Sequence, residues 1–385
     1  MPPSVDSAIQ STVPYVTMVV KTETVIRPQN GRVTPPRDGR ESLLGLTHEE
    51  LARVLIAMGE KPFRGRQIAE WIYARGASDF AAMTNLPAKL RERLNEEFRI
   101  GTLAEQGRRE TADRRTRKVA LSLEDRGVIE SVYMSTPRRV TFCLSSQHGC
   151  GFACRFCATG RMGRGRNLST GEILEQAIRL RRELPEGEHD FNVVMMGMGE
   201  PLENYDAVLG ALGILTDPNG MGVPSKRITI STVGLVPQVL RLADEGRRYR
   251  LAVSLHAASD ELRSKLMPVN RRYPLEQLMR AVRIHIEKVR QRVTFEYILI
   301  EEINDTMAEA ARLVRLVGQL PCRVNLIPYN PIGPGRFRRP SAERIQRFVD
   351  YLAPRVAAVT VRYSQGVEIG AACGQLAGEA EGGLP

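Results

Sequence analysis

A chain of 385 residues is long enough for two domains, or for one large α/β domain carrying a small appendage and a tail. Its 42% apolar and 26% charged residues are globular values that exclude a wholly disordered or fibrous protein, and no run approaches the roughly 18 consecutive apolar residues of a membrane span. The formal charge of +11 suits a polyanionic partner, because Lys and Arg that neutralise phosphates release condensed counterions; a solvated basic surface is the other reading of the same charge.

The start, MPPSVDSAIQ, lacks the basic-then-apolar order of a secretory signal, so a cytoplasmic location is expected. Residues 1–45 mix Pro, Gly, Thr, Ser and Arg without clear periodicity and are expected to form a disordered extension. At Thr47 the pattern changes. Thr47 followed by Glu50 is a capping-box signature, and Leu51, Val54, Leu55 and Met58 make an apolar helical face. FRGRQIAEWIYARG and LPAKLRERLNEEF read as two further amphipathic helices, giving a small helical domain over 46–100. KVALSL, GVIESVYM and RVTFCLS alternate like strands, a short β-layer over 101–140 that leads into the main domain. Helices over 169–183, 204–215, 236–246, 274–291, 306–319 and 341–353 then alternate with the strands FNVVMM, RITIS, LAVSL, VTFEYIL, CRVNLI and AVTVRY. This alternation predicts parallel strands linked by helical crossovers, an open or closed (β/α) barrel over 141–375 followed by a tail at 376–385.

Four of the six cysteines, Cys143, Cys150, Cys154 and Cys157, crowd into fifteen residues. In a reducing cytosol that density reads as metal ligation or catalysis rather than a disulfide framework. Cys150, Cys154 and Cys157 form a C-x3-C-x2-C pattern on a loop after the first predicted barrel strand, at the end where barrel enzymes place their chemistry. Three such thiolates can hold three irons of a four-iron cluster and leave the fourth iron open. A structural zinc site with His148 or Cys143 as fourth ligand is the alternative, although the second knuckle usual in such sites is missing. By the same strand-end logic Gly199 and Glu200, Ser231, the run Ser254, Leu255 and His256, and Asn330 belong to the open mouth; for each, a turn former or helix cap is the bland reading.

The cysteine pattern resembles the radical S-adenosylmethionine superfamily. More closely, TFCLSSQHGCGFACRFCATG, MGMGEPLENYD, SLHAASDELRSKLMPVNRRYPL, NLIPYNPIGPG and GAACGQLAG are similar to the bacterial RNA adenine C2-methyltransferases of ribosomal and transfer RNA, over roughly residues 45–378. The resemblance implies an α/β fold, a partial (β/α)6 radical S-adenosylmethionine barrel with a small amino-terminal helical domain and a short β-layer. It also implies one [4Fe-4S] cluster on Cys150, Cys154 and Cys157, and two S-adenosylmethionine molecules per turnover. Gly199, Glu200, Ser231, Ser254, Leu255, His256 and Asn330 are then contacts of that cofactor.

Adenine C2 is too electron-poor to attack a sulfonium methyl, which is why a radical route is needed. In the family a cysteine matching Cys373 first takes a methyl group by displacement, and the derived carbon radical adds to C2. Cys143 matches the cysteine that then frees the methylated base by forming a disulfide, and Glu130 matches the proton acceptor. A carboxylate on a strand is by default a surface group, so the role of Glu130 rests on the resemblance. The implied partners are 23S rRNA and tRNA, at adenine 37 in the latter, with an electron donor such as flavodoxin or ferredoxin, no membrane, and a monomeric enzyme.

Basic residues near the mouth, Arg161, Arg164, Arg166, Arg271, Arg272, Arg336, Arg338 and Arg339, are candidates for a phosphate-binding rim. Phe63, Arg64, Arg66 and Trp71 are candidates for an RNA clamp, with Trp71 equally readable as core. Cys322 reads as a packing residue. Gln365 and Glu368 depart from the more basic and acidic pairing expected around the glycine before Cys373. The competing readings are an enzyme methylating adenine C8, a radical enzyme acting on a small molecule or peptide, and a non-catalytic metal-dependent RNA-binding protein.

Overall fold

A helix leaves its first N–H groups without partners, and Thr47 and Glu50 resolve this at the start of α1 (His48–Ala57). Thr47 Oγ1 accepts from Glu50 N at 3.3 Å while Glu50 Oε2 accepts from Thr47 N at 2.8 Å, the reciprocal pair that the sequence predicts. The computed structural model describes residues 39–378 other than 186, 187, 189, 334 and 336, together with β1 (Thr17–Met18) and β2 (Val25–Ile26), which pair antiparallel. Most of the extension expected over 1–45 lies outside the described residues, as do Arg336 and the tail beyond 378. Its last residues differ from that expectation. β3 (Glu41–Ser42) pairs in parallel with β4 (Phe98–Arg99), and Leu43 and Leu44 are buried, so an apolar pair draws the chain into the helical domain before Thr47.

α2 (Phe63–Ala69) runs straight into a π-helical turn, Glu70–Ala74, and α3 (Ala88–Glu97) closes the helical domain. Leu51, Leu55, Ile68, Ile72, Leu90 and Leu94 form its core. Gly65 lets α2 approach α1, since a Cβ there would stand 2.4 Å from Ala52 N.

The rest of the chain builds one ten-stranded sheet. β5 (Ala104–Glu110), β6 (Thr116–Ser122), β7 (Val128–Thr136) and β8 (Arg139–Cys143) form an antiparallel meander. A small hairpin follows, β9 (Gln147–Gly149) with β10 (Arg164–Asn167), enclosing the short helix α4 (Ala158–Arg161). The chain then alternates through α5 (Thr170–Arg181), β11 (Phe191–Met195), α6 (Tyr205–Thr216), β12 (Ile228–Thr232), α7 (Val236–Asp244) and β13 (Arg250–Ser254). It finishes with α8 (Asp260–Leu266), α9 (Leu275–Val289), β14 (Val293–Leu299), α10 (Met307–Val317), β15 (Cys322–Pro328), α11 (Ala342–Leu352) and β16 (Val359–Val361).

The strands lie in the order β16-β15-β14-β13-β12-β11-β8-β7-β6-β5, parallel from β8 through β16. Among the described residues β16 and β5 are therefore the sheet's edges, and the barrel they form is open rather than closed. Because β7 pairs with β8, with Val132 opposite Cys143, the β-layer is the flank of the same sheet rather than a separate layer. The sequence patterns missed β5, whose AEQGRRE has no apolar alternation and is mostly exposed, and also β9, β10, α4 and α8.

The junction between meander and parallel strands is held by aromatic packing. Phe142 on β8 stacks on Phe191 on β11, with centroids 4.4 Å apart, and Tyr133 on β7 tilts against Phe142 at 5.8 Å. Since Phe142 is fully buried, Phe142→Ala is expected to destabilise the chain by about 3–5 kcal/mol, read as a lower urea midpoint at unchanged slope.

Candidate active site at the carboxyl ends of the parallel strands

The loop that follows β8 is closed at its neck. Gly149 pairs with Arg164 across β9 and β10, and Cys150 N donates to Gly163 O at 2.8 Å. Gly149 has φ +74, and a Cβ on it would meet Gly163 O at 2.5 Å, so the neck needs glycine there. Inside this ring lie Cys150, Cys154 and Cys157, each thiol in the electrostatic field of the others. Burial pushes Cys150 up to about 12 and raises Cys154 and Cys157 as well. Among the described residues no group of three or more His, Cys, Asp and Glu stands close enough to hold one metal ion. A four-iron cluster, which gives each cysteine its own iron, fits the donor set.

Glu200 follows β11 and is buried, its N–H held by Gln147 Oε1 at 2.8 Å. Its Oε2 accepts from Val233 N at 2.8 Å and its Oε1 from Leu202 N at 3.0 Å. Burial outweighs these bonds and pushes the carboxyl up to about 7, which leaves it suited to an ammonium partner. Gly199, with φ +96, packs so close to Gln147 that a Cβ would meet its Cβ at 2.5 Å.

Ser231 and Ser254 sit half-buried at the ends of β12 and β13. The Leu255 side chain, by contrast, is fully buried in the core, its N–H donates to Glu296 O at 3.0 Å, and its carbonyl accepts from Ala257 N at 2.8 Å and Arg263 Nε at 3.1 Å. Arg263, itself fully buried on α8, also donates to Val233 O at 2.8 Å, Ser254 O at 3.1 Å and Asn270 Oδ1 at 2.9 Å. It gathers the ends of β12 and β13 and places a positive charge near Cys154.

His256 adopts φ +58 and stacks edge-on against Phe156 of the cysteine loop at 4.7 Å. Its Nδ1 accepts from Ile298 N at 3.0 Å, which leaves Nε2 to carry the ring proton as a donor. Burial pushes His256 down to about 3. Asn330, also buried, spends its amide protons on Ser364 Oγ at 2.9 Å and Cys373 O at 3.2 Å, and its Oδ1 accepts from Arg339 Nη2 at 2.8 Å.

Cys143 and Cys373 come from opposite ends of the domain, yet each lies in the field of the other and of the half-buried Arg362 beyond β16. Burial and then Cys373 push the Cys143 thiol up to about 12, against the pull of Arg362. The basicity of Arg362 is raised first by Cys373 and further by Glu296 and Cys143. Cys373 is also tied to the cysteine loop, since Ala158 N donates to Gly374 O at 2.7 Å. Cys322 is buried in the strand core, as a packing residue would be.

Glu130 corrects the surface expectation for a strand carboxylate: it is 0% exposed. β6, β8 and the returning carboxyl-terminal segment cover it, and Lys118 Nζ stands 2.7 Å from its Oε1. Sequence reading also missed Arg263, Arg362 and Lys118. Arg362 was findable, because it too follows a barrel strand; the pairing of Lys118 with Glu130 is visible only once β6 and β7 are in register.

Parts of the basic rim are committed to the fold. Arg166 is paired with both Glu172 and Asp125, and Arg339 serves Asn330. Arg161, Arg164, Arg271, Arg272 and Arg338 remain exposed, although Arg164 bonds Glu203. In the helical domain Phe63 is 54% exposed with Arg64 over its ring, whereas Trp71 packs on the core and donates Nε1–H to Asn85 Oδ1.

Two expected outcomes follow from His256 and Arg263. An unfolded histidine binds protons below about 6.5 while His256 does not, so its share of stability is complete above that pH and is lost as pH falls toward 3. His256→Asn, which keeps an acceptor for Ile298 N, is expected to remove about 2 kcal/mol of the stability difference between about pH 7 and pH 5 in urea titrations. Arg263→Met strands buried carbonyls and is expected to cost about 3 kcal/mol or more, measured by the same titrations at neutral pH.

Known proteins resemble this chain over most of its length. Residues 41–100 match the family model of the ribosomal RNA large subunit methyltransferase N-terminal domain, and residues 144–314 match that of the radical SAM superfamily. A Symbiobacterium thermophilum protein named as a probable dual-specificity RNA methyltransferase RlmN is 46% identical, over 89% of this chain and 93% of its own length. The dual-specificity RNA methyltransferase RlmN of Geobacter sulfurreducens is 44% identical, over 87% of this chain and 91% of its own. A crystal structure of a radical SAM methyltransferase from Sphaerobacter thermophilus superposes with a TM-score of 0.86 at 46% identity, covering 88% of this chain and all of that one. The chain therefore belongs to the RlmN family of radical S-adenosylmethionine methyltransferases, enzymes that use a [4Fe-4S] cluster and S-adenosylmethionine.

Proposed function

We propose that this enzyme methylates C2 of an adenine in 23S rRNA and of adenine 37 in tRNAs, through a methylated cysteine and a transient disulfide. The observation that carries this reading is the shared environment of Cys143, Cys373 and Arg362 beside the three-cysteine loop. Two thiols brought from distant parts of the chain to one guanidinium are what a methyl carrier and its resolving partner require.

Cys150, Cys154 and Cys157 hold the cluster in this reading. Glu200, Gly199, Ser231, Ser254, Leu255, His256 and Asn330 line the S-adenosylmethionine site: Glu200 offers its carboxylate to an ammonium and His256 donates from Nε2. Asn330 contributes by holding the carbonyl of Cys373. The bound cluster and S-adenosylmethionine supply the methyl group and the radical that activates it. Cys373 carries the methyl to the base, Cys143 attacks the tethering sulfur to free the product, and Glu130 accepts the C2 proton. The Oε1 atom of Glu130 accepts from no amide and faces Lys118 Nζ at 2.7 Å, which makes it the oxygen left for that task.

RNA binds over the exposed arginines of the mouth and the helical domain, with the target base unstacked. The electron donor is a flavodoxin or ferredoxin, and the enzyme works as a cytoplasmic monomer. No helix among the described residues is long and apolar enough to cross a membrane.

The test is anaerobic reconstitution with iron and sulfide, followed by mass spectrometry of adenosines from rRNA and tRNA after reaction with methyl-labelled S-adenosylmethionine. Label is expected at C2 in the wild type and absent with Cys373→Ala. Label at C8 would assign the sister chemistry, and unlabelled RNA with a reducible cluster would sink the reading.

A further inference from the structure

Cys373 lies on a strap, residues 364–378, that contains neither helix nor strand. Gly366, Gly370, Gly374 and Gly378 turn it through the left-handed region at φ +69, +67, +86 and +66. A segment without a ladder of its own takes its position from bonds along its flanks. On the cysteine-loop flank, Ala158 N donates to Gly374 O at 2.7 Å and Thr159 Oγ1 to Leu376 O at 2.6 Å. Asn330 Nδ2 reaches Cys373 O at 3.2 Å, and Gln375 Nε2 donates to Pro331 O at 2.8 Å.

The opposite flank is held by the meander. Glu130 Oε2 on β7 accepts from Ala377 N at 2.8 Å and from Gly378 N at 3.1 Å. Its other oxygen faces Lys118 Nζ at 2.7 Å, out of line for a hydrogen bond but within an ion pair. Glu130 is opposite Ala120 in register, so Lys118, two residues along β6, lies diagonal to it on the same face and within a lysine's reach. The ammonium also lies beside the strap, since a Cβ on Gly370 would stand 3.3 Å from Nζ. Lys118 is 7% exposed, and a lysine so covered is held there by a partner. Removing it would leave the Glu130 carboxylate buried without its counter-charge.

We propose that Lys118 is a positioning residue for methyl transfer: it fixes Glu130, Glu130 fixes the amides of Ala377 and Gly378, and the strap so pinned sets where Cys373 sits. This rests on the reading of Cys373 as the methyl carrier. Glu130 then divides its two oxygens, Oε2 committed to the strap and Oε1 turned to Lys118 and free of hydrogen bonds.

The experiment uses the full-length chain with its cluster reconstituted, methyl-labelled S-adenosylmethionine and no RNA. It reads the label on the Cys373 peptide together with amide exchange over 370–378. Lys118→Met is expected to slow labelling by about tenfold and to speed exchange in the strap, with iron content and exchange in β8 and α5 unchanged. Lys118→Arg, which keeps the charge, is expected to restore both, a rescue that loss of packing alone would not give. Should Lys118→Met fold poorly, Lys118→Gln is the second variant, with the same two changes expected. Wild-type labelling with wild-type strap exchange in the Met or Gln variant would overturn the proposal. A wild type whose Cys373 takes no label, with strap exchange still faster in the variant, would remove the methyl-carrier reading and the proposed link to transfer, while leaving the strap's anchorage intact.

Discussion

The parallel ladder from β8 to β16 delivers every strand's carboxyl end to one edge of the sheet, and each group with chemical capacity is reached from that edge. Cys143 closes β8, Glu200 follows β11, Ser231 lies near the end of β12, Ser254 closes β13, Asn330 follows β15 and Arg362 follows β16. Strand-end carbonyls collect at the same edge, and their exposed dipoles need donors. Arg263 supplies several at once, which explains why the largest fully buried side chain in the fold is a charged one. The ladder thus creates both the site and the demand for a buried cation beside it.

Because the meander continues the same sheet, β7 brings Glu130 to the face where Cys143 sits. A hinged or separately packed layer would let that carboxylate drift relative to the cysteines. In one sheet, backbone pairing fixes the separation, and the strap returning from β16 is stapled across it. The open edge leaves room for that return, which a closed barrel would fill with another strand pair.

Local signals were legible and distant ones were not. The C-x3-C-x2-C spacing and the capping box at Thr47 are fixed within a few residues, so the chain displays them directly. The helical crossovers show because each carries its own 3.6-residue apolar stripe; α11, with Ile345, Phe348 and Leu352 buried, is a clear instance. Glu130 could be singled out by resemblance alone, since a strand carboxylate is a surface group by default and its burial depends on a segment almost at the other end of the chain. Arg166 and Arg339 looked like free cations for the same reason: their partners Glu172 and Asp125, and Asn330, are assigned by folding rather than by spacing. Leu255, singled out by its place after a strand, keeps its side chain in the core and its backbone groups paired, which residue identity does not encode.

In the neck formed by β9 and β10, the pairing of Gly149 with Arg164 and the bond from Cys150 N to Gly163 O hold the two ends of the cysteine loop together through the backbone, so the entropy of closing that ring is shared with protein bonds rather than left to metal–sulfur bonds. The small zinc domains differ, because there the ion closes the loop and folding waits for it. The same neck ties the cysteine loop to the hairpin of β9 and β10, so a change in that hairpin would be felt as a change in how tightly the metal is held.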